Sequence, residues 1–237
     1  MRARSVRSMS ALDTVFRRAG AVMVDRGGST VAAHYGSSAG ELAVCVRAVG
    51  IADRSDLGKL VVTGRAHMVD ELVRRCTGAS LAASGVAISA DAWWCAAAPD
   101  RVMVLCDPLR RAQLLEVVRM AARQHPGVQI EDATRALAAI AVAGRSLTGV
   151  LSALGTLGPA EDPRSAPPFG PVGIAGAEAF LLLQFDHRAL FVMDAADADQ
   201  VWHAVEQAGR PFGMGYVGTE ALERFALLER SVAGMPR

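Results

Sequence analysis

The 237-residue chain has little cysteine, a single lysine and no long apolar run. Its four cysteines form no Cys-x-x-Cys pair and have no histidine at metal-ligand spacing, so we expect buried reduced thiols and no metal centre. No apolar run reaches the roughly 18–20 residues of a membrane helix, and no signal-type apolar segment follows the basic start. A net charge of +1 gives no sign of a nucleic-acid or membrane partner. These absences predict a cytoplasmic globular protein.

The single lysine lies in the most informative stretch, residues 50–64. Within it, Asp53-Arg54-Ser55-Asp56 predicts a loop, because short polar side chains hydrogen-bond their own backbone and compete with helix. Gly58 then favours a sharp turn into a strand over 59–63. An ordinary connection between two elements has the same composition, so the pattern leaves a structural and a functional role open.

Short strands alternate with helices bounded by Gly and Pro, which predicts an α+β fold with antiparallel sheets covered by helices. The expected helices cover residues 12–18, 41–49, 66–75, 108–124, 146–154, 195–208 and 219–231. The expected strands cover 21–24, 30–33, 59–63, 84–88, 91–97, 101–106, 128–130, 136–142, 179–185 and 189–193. Proline and charged residues over 155–172 predict a loop between the parts 1–154 and 173–237.

Three segments share their pattern with a known family. Residues 50–64 fall on a Gly-Leu-Phe-Asp-x-Ser-His-Met-Gly-Lys motif that precedes a strand and a glycine, and residues 20–24 fall on Gly-Ala-Lys-Met-Val. Glu41, Ala43-Val44 and Arg47 fit a Glu-x-x-Ala-Val-Arg helix. The chain therefore resembles the aminomethyltransferase (glycine-cleavage T-protein) family over about residues 12–154, and more weakly to 229. The resemblance implies the two parts of a folate-binding core without the C-terminal β-barrel of full-length members.

The resemblance also implies site residues. An ungapped comparison anchored on residues 100–107 puts Asp91 on the second aspartate of a Gly-Gly-x-x-Asp-Asp motif, which in the family lies close to the reactive amine of tetrahydrofolate. A partly desolvated carboxylate there could orient that amine or accept its proton. Met103 and Leu105 fall on positions that line the folate cavity, and Asp107 falls on an asparagine.

Each of these residues also has a structural interpretation. Asp91 could face water at a strand edge, and Met103 and Leu105 alternate as core residues would. Asp107 precedes a helix that we expect to start at Pro108, where aspartate is a good N-cap. The Trp93-Trp94 pair on one strand predicts one ring in the core and the other facing out or towards a pocket.

The second half departs from the family. Counting back from Trp202, Leu190 occupies the position of a glutamate that binds the pterin ring, so the paired charge-assisted bonds of that carboxylate are lost. Asp186 is near enough to compensate, although Asp186-His187 also fits a hairpin turn. This half is more similar to the gamma subunits of heterotetrameric sarcosine oxidases.

Two functions follow from these resemblances. The first is a tetrahydrofolate-binding transferase that moves a methyl or methylene unit from an amine or ether donor to folate. The alternative is a non-catalytic gamma-type subunit of a sarcosine oxidase-like or demethylase complex. In that complex a partner chain would supply a barrel or an oxidase activity.

Overall fold

The computed structural model describes residues 8–9, 12–81, 85–89, 92–157, 168–185 and 187–232. The helices are α1 (Asp13–Arg18), α2 (Ser38–Arg47), α3 (Ala66–Thr77), α4 (Arg111–Ala122), α5 (Leu147–Ala153), α6 (Ala198–Gly209) and α7 (Thr219–Val232). The strands are β1 (Ser8–Met9), β2 (Val22–Arg26), β3 (Ser29–His34), β4 (Val49–Asp53), β5 (Gly58–Thr63), β6 (Val86–Ser89), β7 (Ala92–Ala98), β8 (Arg101–Cys106), β9 (Gln129–Asp132), β10 (Leu137–Ala143), β11 (Phe169–Ile174), β12 (Ala177–Gln184), β13 (Arg188–Asp194) and β14 (Met214–Tyr216). None of the helices in these ranges is long and apolar enough to cross a membrane.

The described strands form two large sheets and one small one. The six-stranded sheet has the order β11-β12-β13-β10-β4-β14, the five-stranded sheet β6-β7-β8-β5-β9, and the small sheet β1-β3-β2. The pairs β1–β3 and β4–β14 are parallel, and the other pairs are antiparallel. Antiparallel sheets covered by helices are the architecture that the sequence predicts, so the fold-class prediction is confirmed.

The two large sheets pack face to face because their strands carry apolar side chains on both faces. On β13, Phe191 points to a core shared with α5 and α6, whereas Leu190 points to a core shared with the five-stranded sheet. On β8, Val104 packs against α3 and α4, whereas Met103 joins Leu190 between the sheets. The order of layers is therefore helices, sheet, sheet, helices.

Two different parts of the fold pack against the inner face of the six-stranded sheet. The five-stranded sheet covers the part around β12 and β13, where Phe169, Leu182 and Val192 lie in the shared core. Towards β4, Ala52 and Ala143 pack instead against α2 and α7. A cleft lies at the border between the five-stranded sheet and helix α7.

The element boundaries correct the sequence prediction in three places. Residues 49–53 form β4, whereas the sequence predicts the end of a helix and the start of a loop. The sequence pattern did not indicate the strand because all five residues are buried and show no alternation. Strand β11 begins at Phe169, inside the stretch predicted as a loop, and tolerates Pro171 because it lies at a sheet edge. Helix α4 begins at Arg111, three residues after Pro108. Residues 158–167 of the predicted loop lie outside the described residues.

Gly58 has a different role from the predicted turn. Its φ is not positive, so the backbone there does not require glycine for its conformation. A Cβ at this position would lie 2.6 Å from the Sγ of Cys106 on the neighbouring strand β8. The glycine is therefore needed for the close approach of β5 to β8.

Candidate functional site

The segment that stands out in the sequence is the junction between the two large sheets. Residues 54–57, the junction loop, lead from β4 in one sheet to β5 in the other. The Arg54 N–H donates to the carbonyl of Ala139 on β10 (2.8 Å), and the Ala139 N–H donates to Ser55 Oγ (3.2 Å). The Ser55 N–H donates to Asp53 Oδ1 (2.9 Å), as expected for a short polar loop residue. The loop is thus attached to the sheet it leaves.

Lys59 fixes the same loop from the other sheet. Its side chain is fully buried, and Nζ donates to the carbonyls of Ser55 (3.0 Å) and Leu57 (2.8 Å). Burial lowers the pKa of Lys59 to about 8, although the carboxylates of Asp56 and Asp53 oppose that shift. The single lysine therefore holds the junction loop against the five-stranded sheet.

A chain of charges continues from the junction loop to two other parts of the fold. The buried carboxylate of Asp56 accepts from Arg54 (2.9 Å) and lies 3.4 Å from Arg26 of β2. Arg26 also pairs with Glu223 of α7 (2.5 Å). The small sheet, the junction loop and α7 are connected through these pairs, and α7 is thereby held beside the end of the five-stranded sheet.

The cleft beside this network has a volume of about 180 Å³ and is called the arginine cleft below. Its floor is the inner face of β10 and β13, where Ala141 and Ala143 leave room and Leu190 contributes its side chain. One wall is α7. The polar groups of the lining come from separate parts of the chain: Arg54, Asp107, Gln184, Arg188, Glu223 and Arg230.

The charges in the arginine cleft are separated. Burial lowers the pKa of Arg188, its partner Glu229 opposes this, and the neighbouring Arg230 and Arg54 lower it further. Burial would also lower the pKa of Arg54, but the carboxylate of Asp56 outweighs it, and Glu223 and Asp107 add to the rise. At the basic end, Arg188 pairs with Glu229, which adjoins Arg230 on α7. At the acidic end, Glu223 lies about two turns earlier on α7, and Asp107 precedes Pro108, which packs against Gly27 beside the Arg26 partner of Glu223.

The predicted site residues fall into two groups. Met103 and Leu105 are 5% and 2% exposed and share the core between the sheets with Leu190, which is 2% exposed. Asp107 lies with Leu190 in the lining of the arginine cleft. Asp91 and Asp186 lie outside the described residues, so their predicted roles stay predictions.

Asp107 caps a turn rather than a helix. Its Oδ1 accepts from the N–H of Leu109 (2.8 Å), within the turn that precedes α4. The N-cap position of α4 itself is Arg110, without a side-chain bond. The expected capping by Asp107 therefore occurs one turn earlier, and its other carboxylate oxygen is not used by that cap.

The two tryptophans alternate as predicted. Trp94 is 1% exposed in the core under α3 and α4, whereas Trp93 is half-buried on the opposite face. Trp93 meets Phe185 edge to face with ring centroids 6.3 Å apart, and it pairs in register with Ile88 on β6. Ile88 is 58% and Phe185 36% exposed. These three residues form an apolar patch where the edges of the two large sheets meet, called the apolar edge patch below.

Sequence reasoning named Asp107 but missed the rest of the polar lining of the arginine cleft. Gln184 and Arg188 flank a hairpin turn, and Arg230 lies on the last helix. Only Arg54 lies in the stretch that the sequence singles out. The polar lining falls into four groups, which are Arg54, Asp107, the hairpin pair Gln184 and Arg188, and the α7 pair Glu223 and Arg230. Successive groups are 35 residues or more apart along the chain, so no local spacing connects them. Within the described residues, no group of three His, Cys, Asp or Glu side chains could hold a metal ion.

Comparisons with known proteins identify the fold. No protein-family model matches the chain, and no curated protein matches it by sequence. Among solved structures, aminomethyltransferase T of the glycine cleavage system from Bartonella henselae is similar with a TM-score of 0.74 at 13% identity, covering 91% of this chain and 61% of that one. A chain of the heterotetrameric sarcosine oxidase from Corynebacterium sp. U-96 is similar with a TM-score of 0.58 at 18% identity, covering 76% of this chain and 94% of that one. The chain has an aminomethyltransferase-like fold and spans 61% of the length of that aminomethyltransferase.

Proposed function

We propose that the chain is a non-catalytic, gamma-type subunit of a heteromeric complex of the sarcosine oxidase-like or demethylase kind. One observation carries the proposal: three of the four described positions that the resemblance assigns to the cofactor are buried in an apolar core. Leu190, Met103 and Leu105 are each at most 5% exposed and pack between the two large sheets. Burying the polar edge of a pterin among such side chains without hydrogen-bond partners is costly.

The described residues around Leu190 fit a folate poorly. The arginine cleft beside Leu190 holds about 180 Å³, whereas sites that enclose drug-sized ligands have roughly 300–1,000 Å³. An alkyl side chain at Leu190 also offers nothing to the adjacent N–H donors of a pterin. We therefore derive no transfer step through tetrahydrofolate from these residues.

Two further observations support a subunit role. The similarity in fold to the sarcosine oxidase chain covers 94% of that chain, which comes from a heterotetrameric enzyme. The apolar edge patch leaves Ile88 and Phe185 exposed beside a half-buried tryptophan, and aromatic residues are enriched at protein interfaces. A partner chain that supplies an oxidase activity or a barrel would cover this patch. The cytoplasmic location expected from the sequence stays a prediction.

The second candidate is a tetrahydrofolate-dependent one-carbon transferase with Asp91 at the reactive amine. The higher TM-score to aminomethyltransferase T favours it, and so does the position of Asp107 beside the cleft. Asp186 would then supply the carboxylate that Leu190 lacks. The two candidates differ in what the isolated chain binds.

A purification from the source organism tests the proposal. An affinity-tagged copy of the chain is expected to recover a partner chain in a fixed ratio, as measured by native mass spectrometry. Ile88→Asp should reduce that recovery by about tenfold or more, because a charge in an apolar interface is costly to desolvate.

Leu109→Asp is the matched control, since Leu109 is 79% exposed at the start of the turn before α4. It should leave recovery unchanged. A chain recovered alone, together with saturable tetrahydrofolate binding, would favour the transferase instead.

A further inference from the structure

The arginine cleft has unused donors at one end. Arg188 Nε donates to Glu229 (2.5 Å), and its two Nη groups have no hydrogen-bond acceptor within the described part of the chain. Arg54 directs Nε and Nη2 to Asp56 (2.9 and 3.3 Å), which leaves Nη1 without an acceptor among the same residues. Both side chains are only 15% exposed. Partly buried guanidinium groups with open donors are well suited to bind a carboxylate.

The opposite end has unused acceptors. Asp107 uses Oδ1 for the Leu109 N–H, and Glu223 uses Oε1 for Arg26. The second oxygen of each carboxylate has no described donor. Both side chains line the cleft, and Glu223 lies about 10 Å along the α7 axis from Arg230. Asp107 precedes Pro108, which packs against Gly27, next to the Arg26 partner of Glu223. An ammonium group would find partners here.

The volume of the arginine cleft limits the size of the ligand. A volume of about 180 Å³ corresponds to roughly six waters at about 30 Å³ each. The floor of Ala141, Ala143 and Leu190 is apolar, which suits a short carbon chain between two charged groups.

We propose that the arginine cleft binds a small zwitterionic amino acid. The carboxylate lies between Arg188 and Arg54, and the ammonium lies towards Asp107 and Glu223. Because charges of both signs line the cleft, a dipolar ligand satisfies both ends. A dianion would meet like charge at the acidic end, and a simple amine would leave the arginines without a partner. The inference does not depend on the subunit proposal, and its failure would leave that proposal as it stands.

The test is calorimetric titration of the full-length chain with glycine, β-alanine and γ-aminobutyrate. At least one should bind saturably. Two comparison compounds each lack one charged group of the ligand; for β-alanine they are the carboxylate propionate and the amine propylamine. Each should bind at least about tenfold more weakly than the amino acid. The absence of saturable binding for all three amino acids up to about 20 mM, or tighter binding of the dicarboxylate glutarate, would overturn the proposal.

Substitutions at each end of the cleft test which charged group of the ligand binds there. Arg188→Gln should weaken binding of the amino acid and of the simple carboxylate by at least about tenfold and leave the amine unchanged. Asp107→Asn should weaken binding of the amino acid and of the amine and leave the simple carboxylate unchanged. Arg119→Gln, at an exposed position of α4, is the matched control and should change nothing. If Arg188→Gln does not fold, Arg230→Gln on the exposed rim should weaken the amino acid in the same direction. Wild-type affinity in the folded variants would contradict the assignment.

Discussion

Lys59 shows how a residue that stands out in the sequence can have a purely structural role. The side chain is buried at the junction of the two large sheets and donates to two carbonyls of the junction loop. An ammonium group in such a place is desolvated, so its proton is held less tightly than in water. The consequence is a measurable dependence of stability on pH.

The pKa of Lys59 is about 8 in the folded chain against 10.5 for the ordinary group. Between these values the unfolded chain holds the proton and the folded chain does not, so the contribution of Lys59 to stability rises with pH in that window. We expect the difference in unfolding free energy between wild type and Lys59→Met to shift in favour of wild type by about 1 kcal/mol from pH 7 to pH 9. Urea unfolding at both pH values measures it.

The wild type and the Lys59→Met variant must be compared at each pH because other groups also titrate. Burial raises the pKa of Cys45 and Cys95 to about 12, so both chains lose stability above about pH 9. Those contributions cancel in the difference. A difference that stays constant, or that shifts towards the variant, would contradict a deprotonated Lys59 in the folded chain.

Leu190 separates a core role from a cofactor role. If it simply replaces a pterin-binding glutamate in an open site, Leu190→Glu should be tolerated. Because Leu190 is 2% exposed between the sheets, we expect Leu190→Glu to lower the unfolding free energy by at least about 3 kcal/mol. Leu190→Met, which conserves volume, should cost less than about 1.5 kcal/mol. Chemical denaturation of both variants decides between the roles, and a stable Leu190→Glu protein would point to an open site.

At the scale of elements, the sequence predicts best where apolar spacing is regular. The strands β5, β7, β8 and β13 and the helices α3 and α7 lie close to their predicted positions. Strand β4 was missed because its residues are buried on both faces, which removes the alternation that signals a strand. Strand β14 has only three residues, and it pairs with β4, which lies about 165 residues earlier in the chain. No local pattern could therefore indicate this strand.

Glu41 is the residue that ties helices α2 and α7 together. It is 7% exposed, and its two oxygens accept from the N–H groups of Tyr35 (2.7 Å) and Gly218 (2.8 Å). Glutamine has one acceptor oxygen, so Glu41→Gln leaves one buried N–H facing an amide donor. We expect a loss of about 2 kcal/mol in unfolding free energy by thermal or urea denaturation.

Glu220→Gln makes the same chemical change at an exposed position in the first turn of α7. It should cost less than about 0.5 kcal/mol. Equal losses in the two variants would mean that the Glu41 bonds do not hold α7 in place.

At the scale of the whole molecule, the layers decide where a ligand can bind. The sequence predicts the α+β class, but it does not predict that the two large sheets pack face to face around Met103, Leu105 and Leu190. That arrangement places these three implied cofactor positions inside a core, and the polar cleft lies at the border with α7. Such long-range packing depends on the three-dimensional arrangement of β8 and β13, which is not encoded in any local spacing.

Calorimetric titration of the isolated chain with tetrahydrofolate tests the central claim most directly. If the interior between the sheets is sealed, the chain shows no saturable heat up to about 1 mM tetrahydrofolate. Saturable binding with a dissociation constant in the micromolar range would contradict the claim and make the one-carbon transferase the better account.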